Sequence, residues 1–133
     1  DVYASDTRFS LPVLLRLAEG IASVTAHLHA CGITHGDLYG HNILVQEDGH
    51  CLLSDFGAAS FHPSAGLGKA LERIETRAFG ILLGELLERW EADPQDQHVM
   101  AGLQALQASC VQPDCQQRPS LAEIFLQIKA WSA

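Results

Sequence analysis

Positive charge is scarce in this sequence. Eight Lys and Arg stand against 16 Asp and Glu in 133 residues, a formal net charge of −8 with His neutral. The eight cations are scattered, so neither a nucleic-acid backbone nor an anionic membrane finds a matching patch, and nucleic acid is not an expected partner. Long apolar runs are also missing. The longest, Leu11–Leu17 and Ile81–Leu87, are interrupted or bounded by Arg16, Glu19, Gly84 and Glu85. A membrane span needs about 20 apolar residues, so none is expected. No cationic leader followed by an apolar segment opens the chain, which leaves secretion without support. With Asp1 first and Met100 the only methionine, the chain reads as a fragment of a longer protein. The four cysteines (Cys31, Cys51, Cys110 and Cys115) form no Cys-x-x-Cys pair. In a chain that is 47% hydrophobic they are expected as reduced core thiols, which points to the cytoplasm. Zinc on His27, His29, Cys31 and His35 is disfavoured, because residues two apart on a helix face nearly opposite sides.

What is present is a run of amphipathic segments around one short β unit. Ser10 is placed to cap a helix whose apolar positions Leu14, Ala18, Ile21, Thr25 and Leu28 recur every three or four residues, and Gly32 is placed to end it. Ile43–Val45 and Cys51–Leu53 read as two strands joined through Glu47-Asp48-Gly49, a hairpin signal. Residues 58–68 read as loop. A long helix is expected from about Ala70 to Glu91 with Leu71, Ile74, Ala78, Ile81, Leu82, Leu86 and Trp90 inside, its second half apolar nearly all round. Another follows from Gln97 to Ala108 with Val99, Leu103 and Leu106 on one face. The last opens on Ser120-Leu121-Ala122-Glu123, a capping box, and buries Leu121, Ile124, Phe125 and Ile128.

Chemistry concentrates at the hairpin. The loop before it reads His35-Gly36-Asp37-Leu38-Tyr39-Gly40-His41-Asn42, and Asp55-Phe56-Gly57 follows it. A hairpin folds Asn42 and Asp55 back beside each other, with Asp37 one loop away. Two oxygen ligands for Mg²⁺ and a carboxylate able to accept a hydroxyl proton are what phosphoryl transfer requires. These residues resemble the protein kinase superfamily, whose pattern is His-Arg-Asp-Leu-x-x-x-Asn followed by Asp-Phe-Gly. Leu28-His29 ahead of Gly32-Ile33-Thr34-His35, Glu75 with Phe79-Gly80, and Arg118-Pro119 extend the likeness over nearly the whole chain. The resemblance implies ATP and Mg²⁺ as cofactors, Asp37 as catalytic base, and Asn42 and Asp55 as metal and nucleotide-binding residues. His35, Phe56, Gly57 and Glu75 are implied as structural support. It also implies a buried Glu75 accepting backbone N–H bonds, a charge-assisted contact.

Blander readings exist for each residue. Asp37 is an ordinary turn residue, Asn42 an Asx turn, and Glu75 an exposed helix charge worth about 0.3–0.5 kcal/mol to a nearby arginine. His41, His50, His62 and His98 read as surface or satisfied polar residues. The sequence also departs from the family. Gly36 stands where many protein kinases have the arginine that reads a phosphorylated activation loop, a His-Gly-Asp form shared with aminoglycoside phosphotransferase-like and other atypical kinases. Tyr39 replaces the lysine near the transferred phosphate. No Ala-Pro-Glu lies between Asp55 and Glu75, so Arg118 lacks its expected glutamate partner. No glycine-rich loop or Val-Ala-Ile-Lys lysine is present.

The expectation is therefore an α+β chain: residues 1–133 as a kinase-like C-terminal lobe, mostly α-helical with one small hairpin, the N-terminal lobe absent. Its function is expected to be ATP- and Mg²⁺-dependent phosphotransfer to a protein Ser/Thr hydroxyl, weak in isolation, with a protein substrate and the missing lobe as partners. The alternatives are a small-molecule phosphotransferase and a pseudokinase or interaction module.

Overall fold

A computed structural model describes residues 8–38, 43–45, 51–53, 56–61 and 67–132. Helix α1 (Leu11–Ala30) forms where the apolar spacing is most regular, and it buries Leu14, Leu17, Ala18, Ile21, Ala22 and Thr25. Thr25 is tolerated there because its hydroxyl donates to the Ile21 carbonyl at 2.8 Å. Ser10 does occupy the N-cap with extended backbone, but its side chain makes no capping bond. Pro12, whose fixed φ suits a first turn, marks the helix start instead. Among the described residues α1 alone has the length and composition to cross a membrane, contrary to the expectation that no segment qualifies. Its apolar face is packed against α4 (Leu121–Ser132) and α2 (Leu67–Glu88), the situation of a core helix. At its end Gly32, with φ 75°, reverses the chain and bonds back to the His29 carbonyl at 3.0 Å.

Four short strands follow among the described residues. β1 is Ile33–Thr34, β2 Ile43–Val45, β3 Cys51–Leu53 and β4 Ser60–Phe61. β2 and β3 pair antiparallel with Ile43 opposite Leu53 and Val45 opposite Cys51, which is the expected hairpin. The Glu47-Asp48-Gly49 turn lies outside the described residues. A second antiparallel pair, β1 with β4, was not expected: Ile33 stands opposite Phe61 and Thr34 opposite Ser60. It corrects the reading of residues 58–68 as loop. The two hydroxyls, Thr34 Oγ1 and Ser60 Oγ, lie 3.4 Å apart across it.

Helix α2 begins three residues before the expected start and ends at Glu88. Beyond it, Trp90 bridges in parallel to Phe9, with Phe9 N–H donating to the Arg89 carbonyl and Glu91 N–H to the Phe9 carbonyl, each at 2.7 Å. The buried face of α2 differs in phase from the expected one. Glu75, Thr76, Phe79, Leu82, Leu83 and Leu86 point inward, whereas Ile74 is 60% and Ile81 40% exposed. Two polar residues enter the core because both have partners. Thr76 Oγ1 shares its one proton between the carbonyls of Glu72 and Pro119 at 3.2 and 3.1 Å, and Glu75 accepts bonds from the loop after β1.

Helix α3 (Gln97–Cys110) and α4 close the core, contributing Met100, Leu103 and Leu106, then Leu121, Ile124 and Ile128. Val99 and Phe125 are only partly buried. Half of the expected capping box is made, with Glu123 N–H donating to Ser120 Oγ at 3.2 Å. Burial pushes the Cys110 thiol up to about 12, so it stays protonated, a core thiol as expected. Cys31 is exposed and Cys115 half-buried, so the core-thiol reading fails for both. Arg118 is buried without the family's glutamate. Its Nε donates to the Gln112 carbonyl at 2.7 Å and its Nη1 to the Arg73 carbonyl at 3.1 Å, so backbone dipoles hold the guanidinium.

Candidate active site

The loop after β1 is fixed by one carboxylate from α2. Glu75, 5% exposed, accepts from His35 N–H through Oε1 at 3.0 Å and from Gly36 N–H through Oε2 at 2.8 Å. His29, from the last turn of α1, donates its Nε2–H to the same Oε1 at 3.0 Å, and its Nδ1 stands 4.0 Å from Glu72. The exposed ion-pair reading of Glu75 is therefore excluded, since both oxygens are used inside the fold. Burial by itself would push this carboxyl up. The bonds from His29, Gly36 and His35 outweigh it and hold Glu75 below the ordinary carboxylate range. The result is a charged group bridging α1, α2 and the loop.

Within the loop, His35 is fully buried and its Nδ1 accepts from Asp37 N–H at 3.2 Å. An accepting Nδ1 places the ring proton on Nε2. Leu38, also buried, anchors the far side of Asp37, whose own side chain is half-exposed. Asp37 thus sits between two inward anchors and is itself half-buried. Gly36 has φ 85°, a region that costs an L-residue about 1–2 kcal/mol. A Cβ there would collide with the Ala58 carbonyl oxygen. The glycine in place of the family's arginine is thus a steric requirement of this loop's path.

Ala58 ends the short 3₁₀ turn Phe56–Ala58, in which Gly57 is exposed. The segment after the hairpin and the loop before it therefore touch at Gly36–Ala58. Asn42 and Asp55 lie outside the described residues. What is described is their frame: Ile43, which follows Asn42, pairs with Leu53, two residues before Asp55. Of the residues singled out in the sequence, His35, Gly36, Asp37, Gly57 and Glu75 come together through these contacts or through the backbone next to them. His29 and Ala58 were not assigned to the site from sequence. Leu28-His29 carried the only signal for His29, and nothing marked Ala58, since its role is a backbone contact. His98 is exposed, while His41, His50 and His62 lie outside the described residues.

Comparison with known proteins points the same way as the geometry. The profile described as "Protein kinase domain" matches residues 1–79. Serine/threonine-protein kinase AtPK1/AtPK6 of Arabidopsis thaliana is 54% identical over 39 residues, 29% of this chain and 8% of that protein. Dual specificity testis-specific protein kinase 1 of Rattus norvegicus is 35% identical over 117 residues, 68% of this chain and 19% of that protein. Probable serine/threonine-protein kinase pknA2 of Bifidobacterium longum is 31% identical over 98 residues, 74% of this chain and 12% of that protein. The chain spans no more than 19% of the length of any of these three relatives.

Proposed function

We propose that this chain, which belongs to the protein kinase family, is the catalytic-loop half of an enzyme that transfers the γ-phosphoryl group of ATP to a protein Ser/Thr hydroxyl. The observation that carries this is the anchoring of the loop at His35 and Gly36 by the buried Glu75 carboxylate, with Asp37 next in the chain and half-exposed. A general base must be held in one place while its carboxylate stays accessible; the anchored loop supports the first condition, and the half-exposure of Asp37 fits the second.

In this reading Asp37 accepts the proton of the attacking hydroxyl, and Asn42 and Asp55 would hold Mg²⁺. Their carboxamide and carboxylate oxygens are the hard donors that this cation takes. When bound, the ion neutralises charge across the β- and γ-phosphates. His35 presents Asp37 by accepting its backbone N–H, and Glu75 keeps that section of chain from moving. Residues 1–133 would work with an upstream lobe that covers the nucleotide, and alone would bind ATP weakly. A cytoplasmic location belongs to the same proposal, supported by Cys31, Cys110 and Cys115 all being free thiols.

The test is phosphorylation of a protein acceptor by the full-length protein, read as phosphoserine and phosphothreonine by mass spectrometry. Asp37→Asn is expected to lower turnover by about a hundredfold or more while ATP affinity is kept. Unchanged turnover in that variant contradicts the assignment of the base.

A further inference from the structure

We infer that the exposed face of the first half of α2 is a docking surface for an acidic amphipathic segment of a partner protein. Leu67, Ile74 and Ile81 are 70%, 60% and 40% exposed. They recur every seven residues, two helical turns, and so form one stripe about 20 Å long. Lys69, Arg73 and Arg77, spaced four residues apart, form a basic ridge along one side of it, with Arg77 nearest and exposed and Arg73 half-buried. Arg77 lies three residues after Ile74 and four before Ile81, within one turn of both. Lys69 starts this ridge on the far side of the helix from Leu67, exposed and 3.8 Å from Glu72. Among the described residues Arg73 and Arg77 have no ion-pair partner.

This half of α2 also shows no free carboxylate. Glu72 and Glu75 both turn inward, to His29 and to the loop. Three of the eight cations of a chain with net charge −8 therefore stand on one ridge beside the exposed apolar stripe. Next to it a groove of about 320 Å³ opens between Lys69, Arg73, Cys115 and Gln116, room for side chains rimming the stripe.

Charge selects the occupant. Anionic residues facing Arg73 and Arg77, with apolar residues over Ile74, complement the stripe, whereas a second copy laid antiparallel about Ile74 brings four arginines together. A flat anionic bilayer is disfavoured because the next position of the stripe after Ile81 is Glu88, exposed, with Glu91 beyond. A short segment ends before reaching them.

The test uses a fluorescein-labelled helical peptide of about 15 residues, long enough to cover the stripe, with leucines on one face and glutamates on both flanks. A control peptide has lysines in place of the glutamates. The expected result is saturable binding of the acidic peptide alone, weakened as NaCl is raised from about 0.05 to about 0.5 M. Arg77→Glu and Ile74→Ser, both at exposed positions, are each expected to weaken it by about tenfold at unchanged melting temperature. Equal binding of the two peptides, or indifference to both variants, overturns the proposal. So does preferential binding to vesicles of equal parts phosphatidylcholine and phosphatidylserine, or self-association that Ile74→Ser abolishes while the acidic peptide fails to bind.

Discussion

Glu75→Ala is expected to destabilise the chain by about 3 kcal/mol, because it strips the acceptor from the buried His35 N–H and from His29 at once. The Gly36 N–H adds less, since Gly36 is exposed and water replaces its partner. In a domain of this size that loss corresponds to a fall in melting temperature of about 10 °C. Glu75→Gln is expected to lose about half as much, as one carbonyl oxygen remains to accept while the amide NH₂ confronts a second donor. Hydrogen exchange at the His35 and Gly36 amides should accelerate in both variants well beyond exchange in α3 and α4. The pH dependence has a definite sign. The folded chain holds Glu75 below its ordinary 4.5, so this stabilisation is complete above that value and is lost as pH falls through the lowered folded one. The stability gap between the native chain and Glu75→Gln should therefore narrow in acid. A gap that widens there, or an alanine variant melting within a degree of the native chain, removes Glu75 from its role as the anchor.

Gly36 carries the second large effect. Restoring the residue common in the family, Gly36→Arg, is expected to destabilise the chain by about 2–4 kcal/mol, and Gly36→Ala by nearly as much. Two costs add at this position. Any L-residue meets the penalty for φ 85°, and any Cβ meets the Ala58 carbonyl, which is backbone and cannot rotate away. Relief requires the loop to lift, which breaks the Gly36 N–H bond to Glu75 and displaces the next residue, Asp37. Urea unfolding measures the cost, and the Asp37 and Ala58 amide chemical shifts report the displacement. An alanine variant as stable as the native chain would show that the loop reaches Glu75 by another path.

The elements legible in the sequence are those whose apolar residues all serve one core. α1, α3 and α4 come close to that condition, with Val24 and Leu126 as the exposed exceptions, and their stripes at Leu14–Ala18–Ile21, Leu103–Leu106 and Leu121–Ile124–Ile128 are buried. α2 has more large apolar residues than its inner face can take. A stripe drawn through Ile74 and Ile81 was as plausible as the true one, because the true one contains Glu75 and Thr76, whose burial depends on partners distant in the chain. β4 left no trace, since two exposed residues, Ser60 and Phe61, carry no alternation, and only the pairing with Ile33–Thr34 defines them. At the site, the order His35-Gly36-Asp37 and the Glu75 helix were legible through family likeness. The reason for Gly36 was not, because it lies in a carbonyl 22 positions away. His29 is marked only by the Leu28-His29 likeness, and its bond to Glu75 is not legible there because the partner arrives from α2, 46 positions on.

The central proposal is that Asp37 serves as base next to a Mg²⁺-ATP that Asn42 and Asp55 would hold. Paramagnetic broadening by Mn²⁺-ATP, read residue by residue in an amide NMR spectrum of the native chain, tests it most directly. The expected result is selective loss of the Asp37, Asn42 and Asp55 signals while those of α4 persist, with the effect abolished in Asp55→Ala. Broadening spread evenly over the acidic surface, or centred away from these three residues, contradicts it.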